Sequence, residues 1–156
     1  MRGSRRSLLG VLAAGTAAIA VLPSRKAVDA QETGPVGAWL VSASRATGQG
    51  VALLTFNADG TFMRSADTHP VQTVGHGVWS PNGNGDIDAM YIALRFDENR
   101  AHVGSQKTRI RITLGPEPDQ FTGIGKVSTL GLDGSVQGTS QTQLQGKRIV
   151  AEPFDA

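Results

Sequence analysis

The sequence predicts an all-β domain: an antiparallel up-and-down β-barrel of about eight strands, preceded by a cleavable signal segment. From residue 37 onward, short runs alternate apolar and polar side chains, which is the period-2 pattern of strands with one buried face. Clusters of Gly, Asn, Asp and Pro separate these runs at intervals of about 8–14 residues, which favours an antiparallel meander. No helix pattern follows the signal.

The first thirty residues are predicted to be an export signal. Arg5 and Arg6, followed by Leu8, resemble the twin-arginine motif, and the apolar segment 8–22 is shorter than the ~20 residues of a membrane-spanning helix. An N-terminal membrane anchor is the alternative. Small residues around Ala30 predict cleavage there. We therefore expect a signal peptide at 1–30, a barrel domain at 31–156, no stable membrane span after signal removal, and an exported protein, periplasmic or secreted.

The charge balance excludes a nucleic-acid-binding role. Residues 1–30 hold five of the 15 Lys and Arg residues and one of the 13 Asp and Glu residues, so residues 31–156 carry 10 basic and 12 acidic side chains. Aromatic residues make up only 5% of the chain. A nucleic-acid binder usually presents a basic patch with interleaved aromatics. The basic pI belongs to the signal.

Eight strands are predicted in the barrel domain, at residues 38–44, 51–56, 61–64, 73–80, 87–96, 106–114, 121–130 and 135–149. The second and third are joined by Asn57-Ala58-Asp59-Gly60, whose residues tolerate the positive φ of a tight hairpin turn. Closure into a barrel removes the exposed sheet edges. A β-sandwich is the main alternative. The chain has no cysteine, so packing alone stabilises the domain.

Short motifs at the two ends of the domain resemble those of lipocalins and their calycin relatives. They are Gly37-Ala38-Trp39 at the start of the first strand and Gly146-Lys147-Arg148-Ile149 at the end of the last. A second Gly-x-Trp at Trp79 and the segment 56–61 (FNADGT) also resemble secreted bacterial lipocalin-like proteins. The resemblance implies that Trp39 closes one end of the barrel and that Arg148 stacks on its face. The helix that follows a lipocalin barrel has no counterpart after Val150.

We expect Trp39, Trp79 and Arg148 to be structural, and a row of apolar side chains to line a lumen that binds ligand. Small residues on the last strand (Gly138, Ser140 and Thr142) leave volume beside that row. The predicted ligand-binding residues are Phe56, Phe62, His76, Met90, Ile92, Leu94, Phe96, Ile110, Ile112, Phe121 and Leu144, with Leu54 as a further lumen residue.

His76, between two glycines, and Tyr91 are the best candidates for polar catalytic groups. A lumen histidine is able to donate a hydrogen bond or act as acid or base, whereas an exposed strand histidine beside a bulge would do neither. The spacing of Asp67, His69, His76 and His102 matches no ligand motif, so we predict no metal and no cofactor. Residues 82–88 lack the pattern of a calcium loop.

Three arginines, Arg95, Arg109 and Arg111, alternate with the apolar rows of the fifth and sixth strands. We expect them on a solvated outer face, paired with carboxylates; facing inward, they would bind a carboxylate instead. The second strand is apolar on both faces. One face is therefore expected to be covered by a terminal segment or by another copy of the chain in a homo-oligomer.

These features favour an exported barrel that binds a small, mostly apolar molecule. A cofactor-free isomerase or cyclase acting on a small hydrophobic substrate is the alternative, because such a barrel needs few polar groups to orient its substrate. The third expectation is a solid barrel that serves as an interaction module.

Overall fold

Eight antiparallel strands pair in sequence order, and the last pairs with the first to close a barrel. The computed structural model describes residues 34–68 and 71–154. The predicted signal, its cleavage site and His69 lie outside these residues. The all-β barrel prediction is confirmed, and the β-sandwich alternative is excluded because no sheet edge is open between β1 and β8.

The strands follow the predicted order closely. Their bounds are β1 Gly37–Arg45, β2 Gly48–Phe56, β3 Thr61–Ala66, β4 Gly75–Pro81, β5 Ile87–Phe96, β6 His102–Leu114, β7 Gln120–Leu130 and β8 Val136–Arg148. Strand β5 has the predicted bounds, whereas β6 begins four residues before the predicted start at 106. Within the described residues, no helix is long and apolar enough to cross a membrane.

The turn between β2 and β3 forms as its residues predict. Gly60 has φ 84°, and the backbone N–H of Asn57 donates to the carbonyl of Thr61 at 3.0 Å. The Asp59 carboxylate accepts from both the backbone N–H (2.9 Å) and the hydroxyl (2.6 Å) of Thr61. These bonds favour the ionised form and lower the pKa of Asp59. The turn fixes the register that places Phe56 opposite Phe62.

One half of the barrel interior is filled with large apolar side chains. We call this half the closed end; β1 begins there. Phe56 and Phe62 stack with ring centres 5.0 Å apart, and Trp39 meets Phe121 edge-on at 5.0 Å. Of the largest fully buried side chains, Trp39, Phe56, Phe62 and Ile112 lie in this half. This end is a packed core without room for a ligand.

The side-chain orientation predicted for β5 is wrong. Ala89, Tyr91 and Ala93 face the interior, whereas Ile92 is 43% and Leu94 44% exposed on the outer face. The cause is that both rows of this strand are apolar, so apolarity does not set which row points inward. Tyr91 fills the lumen instead, and the small Ala89 and Ala93 leave space for it.

Candidate functional site

The closed end is capped by Trp39 and Arg148, whose guanidinium carbon lies 4.3 Å from the centre of the indole ring. Arg148 also donates to the carbonyls of Gly34 (2.9 Å), Val36 and Pro118 (3.2 Å). The indole N–H of Trp39 donates to the carbonyl of Pro35 at 2.7 Å. The stacking that the resemblance implies is therefore present. These contacts tie the segment before β1 and the β6–β7 turn to the last residue of β8.

A cavity of about 210 Å³ occupies the other half of the barrel, which we call the open end. Strand pairing places the ends of β1 and β7 and the beginnings of β2, β6 and β8 there. Its apolar wall consists of Val41, Ala43, Ala52, Leu54, Ile110, Val127 and Leu144, and its polar wall of Arg45, Arg64, Thr68, Gln72, Tyr91, Gln106, Thr108, Ser140 and Thr142. The site is thus amphipathic, with a charged group inside the barrel.

Of the two arginines in the cavity wall, Arg64 on β3 is the buried one and is only 6% exposed. Its cross-strand neighbours are Leu54 on β2 and Gly75 on β4. Burial, and to a smaller extent the nearby Arg45, lower the pKa of the Arg64 guanidinium from its ordinary value; Tyr91 and Asp67 act in the opposite direction. Because arginine remains protonated even so, the site holds a desolvated positive charge.

A chain of side-chain amides holds the guanidinium in place. Nη1 of Arg64 donates to Oε1 of Gln72 (3.1 Å) and to the hydroxyl of Thr68 (3.4 Å). Nε2 of Gln72 donates to Oε1 of Gln106 at 2.8 Å. Nε2 of Gln106 donates in turn to Thr108 (3.2 Å) and to the Tyr91 hydroxyl (3.4 Å). The polar wall is therefore a connected network across β3, β5 and β6.

The Tyr91 ring packs against Gly75 on the neighbouring strand. A Cβ atom on Gly75 would come within 2.5 Å of Cδ2 of the Tyr91 ring, and one on Gly77 would overlap the backbone of Met90. The Arg64 guanidinium lies 5.5 Å from the centre of the same ring, within the range of a cation–π contact. Gly75 therefore makes room for the Tyr91 ring, and Gly77 for the backbone of β5, rather than for a ligand at His76.

His76 points out of the barrel. Its alternation partners Gly75 and Gly77 face inward, and His76 pairs with Met63 and Ile92, which are both exposed. The predicted lumen position of His76 is therefore wrong. Because the glycines on either side of His76 have no side chains, the sequence shows no apolar row that would indicate which residues of β4 face inward. Tyr91, the other catalytic candidate, does line the cavity.

The predicted ligand-binding residues fall into three groups. Ile110, Leu144 and Leu54 line the cavity. Phe56, Phe62, Ile112 and Phe121 are buried in the closed end. The remaining group lies outside or at the rim, and consists of His76, Met90, Ile92, Leu94 and the half-buried Phe96, whose ring is 5.8 Å from that of His102. For His76, Met90, Ile92 and Leu94 the predicted inward orientation is wrong.

Part of the polar wall was predicted, namely Ser140 and Thr142 beside the lumen and Tyr91 as a polar candidate. Arg64, Gln72 and Thr108 were not predicted, although period-2 alternation contains the signal for Arg64 and Thr108. Phe62 was placed in the lumen, and Arg64, two residues later, must share its face. Thr108 likewise shares the face of Ile110. No comparable signal exists for Gln72, which follows β3 outside any regular strand and reaches the cavity from a loop.

The outer face carries Arg109 and Arg111. Arg111 makes two hydrogen bonds to the Asp88 carboxylate, at 2.8 and 3.1 Å, and Arg109 is exposed, as expected for a solvated face. Arg95 shares the inward parity of Tyr91 and is half-buried, so its predicted outer position is wrong. A larger groove of about 690 Å³ runs across Val78, Met90, Ile124 and Lys126 on this face and is more open to solvent than the cavity.

Trp79, the third predicted structural residue, lies at the closed end of β4. Its indole N–H donates to the carbonyl of Asn57 at 2.9 Å, and its ring meets Phe56 edge-on at 6.1 Å. It joins the β2–β3 turn to β4. No group of three His, Asp or Glu side chains able to hold a metal ion occurs in the part of the chain that the structure describes.

Comparisons of this chain with models of known protein families, with curated proteins and with solved structures found no match. The closed eight-stranded antiparallel barrel is compatible with a lipocalin-like fold.

Proposed function

We propose that this protein is an exported, lipocalin-like binding protein that holds a small, mostly apolar molecule in its lumen. The observation that carries the proposal is the cavity of about 210 Å³ at the open end, where Leu54, Ile110 and Leu144 form an apolar wall. Binding sites of this kind are concave and mainly apolar, with a few placed polar groups. The twin-arginine resemblance of residues 4–9 supports export.

The size of the cavity limits the ligand. Drug-sized ligands occupy pockets of about 300–1,000 Å³, so a molecule enclosed here is smaller or leaves one end in solvent. Arg45 at the rim is one-third exposed and lies 3.7 Å from the Asp67 carboxylate. This ion pair marks the entrance.

Native mass spectrometry of the purified protein, followed by organic extraction, tests the proposal. We expect a bound small molecule that is displaced from an Ala43→Leu variant, because Ala43 lines the cavity and the substitution adds three carbon atoms to it. The matched control is Ser42→Leu, in which the adjacent residue faces outward. An empty wild-type protein would argue for an interaction module instead of a binding protein. The same occupancy in Ala43→Leu and wild type would mean that the molecule binds outside the cavity.

A second candidate function, a cofactor-free isomerase or cyclase, is favoured by one observation. The Tyr91 hydroxyl is inside the cavity and is 3.4 Å from Nε2 of Gln106, where it is able to contact an enclosed substrate. His76 does not take part, because it faces solvent. Turnover of a small polyene or epoxide that is lost in Tyr91→Phe and retained in His76→Ala would support this function. Retained turnover in Tyr91→Phe would reject the role of the hydroxyl.

A further inference from the structure

The charge of Arg64 has no acidic partner among the residues that the structure describes. The ion pairs found there are Arg45–Asp67 and Arg111–Asp88. Both hydrogen-bond acceptors of Arg64, Thr68 and Gln72, are neutral. An arginine that is 94% buried normally has a carboxylate or another anion beside it. A buried charge in this position is therefore expected to have an anion beside it.

The Arg64 guanidinium faces the cavity and has N–H donors that make no hydrogen bond to the described residues. Arginine carries five N–H donors in a planar fork, and the hydrogen bonds it makes to described residues all start from Nη1. Nε and Nη2 donate to none of those residues, and the Arg64 side chain lines the cavity. No buried side-chain nitrogen or oxygen of the described residues is left without a hydrogen bond, so any further donor is accessible from the cavity side.

The fork is held in one orientation before any ligand arrives. Tyr91 lies against it at 5.5 Å, and Gln72 is fixed by its own bond to Gln106. A positive charge held rigidly in a poorly solvated site attracts an anion more strongly than the same charge in water. A planar guanidinium matches a carboxylate best, because it is able to form two parallel hydrogen bonds to the two oxygens.

We infer that the lumen ligand is a small amphiphilic carboxylate whose head group binds Arg64 and whose apolar body packs on Leu54, Ile110 and Leu144. This inference rests on the proposed binding function and names the class of its ligand. The ion pair of Arg45 and Asp67 at the rim has no net charge. The charge that selects the carboxylate head group of the ligand is therefore that of Arg64.

Octanoate and 1-octanol are matched probes, because they have the same chain length and differ in the head group. Isothermal titration calorimetry on the wild-type protein should give an octanoate affinity at least about tenfold higher than that of octanol, as expected for one charge-assisted contact. In Arg64→Met the octanoate affinity should fall at least about tenfold, while octanol still binds. The control Arg109→Gln removes an exposed outer arginine and should change neither affinity.

A second measurement needs no variant, and it decides the question if Arg64→Met does not fold. The carboxyl resonance of [1-¹³C]octanoate, followed by NMR against pH, reports the pKa of the bound head group. Beside Arg64, the ionised form is favoured, so the bound pKa should be lower than that of free octanoate. In an apolar lumen without a cationic partner, burial would raise it.

The two proposals fail in different ways. Equal affinity for octanoate and octanol, or a raised pKa for the bound carboxyl group, would overturn the carboxylate inference and leave the binding function in place. No binding of either probe, together with an empty organic extract, would overturn both.

Discussion

Replacing Gly75 with alanine tests how tightly Tyr91 is packed in the lumen. The added Cβ would lie 2.5 Å from Cδ2, 3.1 Å from Cε2 and 3.2 Å from Cγ of the Tyr91 ring. Ordinary contact begins near 3.4 Å, so the ring must move by about 0.9 Å, or the strands must separate. Tyr91 is 5% exposed and is packed between Phe62, whose ring centre is 5.8 Å away, and Arg64.

The magnitude follows from two opposing effects. Overpacking of this kind costs about 1–3 kcal/mol, while replacing a strand glycine with alanine gains about 0.5–1 kcal/mol. We therefore expect Gly75→Ala to lower the free energy of unfolding by about 1 kcal/mol or somewhat more, measured by urea denaturation. Gly138→Ala is the matched control, because nothing lies within 4 Å of its added Cβ. It should leave the protein equally stable or slightly more stable.

A double substitution separates the clash from other effects. In a Tyr91→Ala background the ring is gone, so Gly75→Ala should no longer destabilise the protein. The chain has a single tyrosine, and its ring NMR resonances therefore report the displacement directly in the single variant. If Gly75→Ala behaves like Gly138→Ala, or costs the same with and without the Tyr91 ring, the steric explanation is refuted.

Two further predictions concern the surface contacts. Arg148→Gln loses the stacking on Trp39 and hydrogen bonds to three carbonyls, so the free energy of unfolding, measured by urea titration, should fall by about 1–3 kcal/mol. The control is Lys147→Gln, at an exposed neighbour, which should have little effect in the same titration. Hydrogen bonds from Arg111 lower the pKa of Asp88 in the folded protein. The stability that this pair contributes is therefore present above the pKa of Asp in the unfolded chain, about 3.9, and is lost as the pH falls through the lower pKa of Asp88 in the folded protein. Acid unfolding curves of wild type should therefore show a small loss below about pH 4 that Asp88→Asn lacks and that high salt reduces; identical pH profiles for the two proteins would contradict it.

The sequence predicted most of the backbone because turn chemistry and period-2 alternation are local signals. Asn57 to Gly60 form the expected turn, and Ile87 to Phe96 form a strand with the expected bounds. Closure of the sheet followed from the number of strands and the absence of a helix. The turn and the strand depend on residues close together in the chain, whereas closure pairs the first strand with the last.

Side-chain direction could not be predicted where the local pattern was ambiguous. On β5, Ile92 and Leu94 are larger and more apolar than Ala89 and Ala93, yet the interior takes the alanines because Tyr91 occupies the space. On β4, Gly75 and Gly77 have no side chains, so no apolar row was available from which to predict the orientation of His76. Both errors have the same cause, since the volume available inside the barrel is set by residues of other strands.

The candidate site was predicted in part. Its apolar wall was anticipated through Ile110 and Leu144, but its charge was not, because an arginine on a strand is usually expected to face solvent. Arg64 becomes recognisable only when the alternation from Phe62 is followed two residues further. That Arg64 forms no ion pair with a carboxylate of the described residues is a property of the three-dimensional arrangement.

A ¹H–¹⁵N correlation titration of the protein with octanoate tests most directly whether the lumen is the binding site. We expect the chemical-shift changes to cluster at the backbone amides of cavity residues such as Thr108, Thr142 and Leu144. The amides of Val78, Ile124 and Lys126, in the larger groove on the outer face, should remain unchanged. Shift changes confined to that outer groove, or spread evenly over the barrel, would contradict a ligand site inside it.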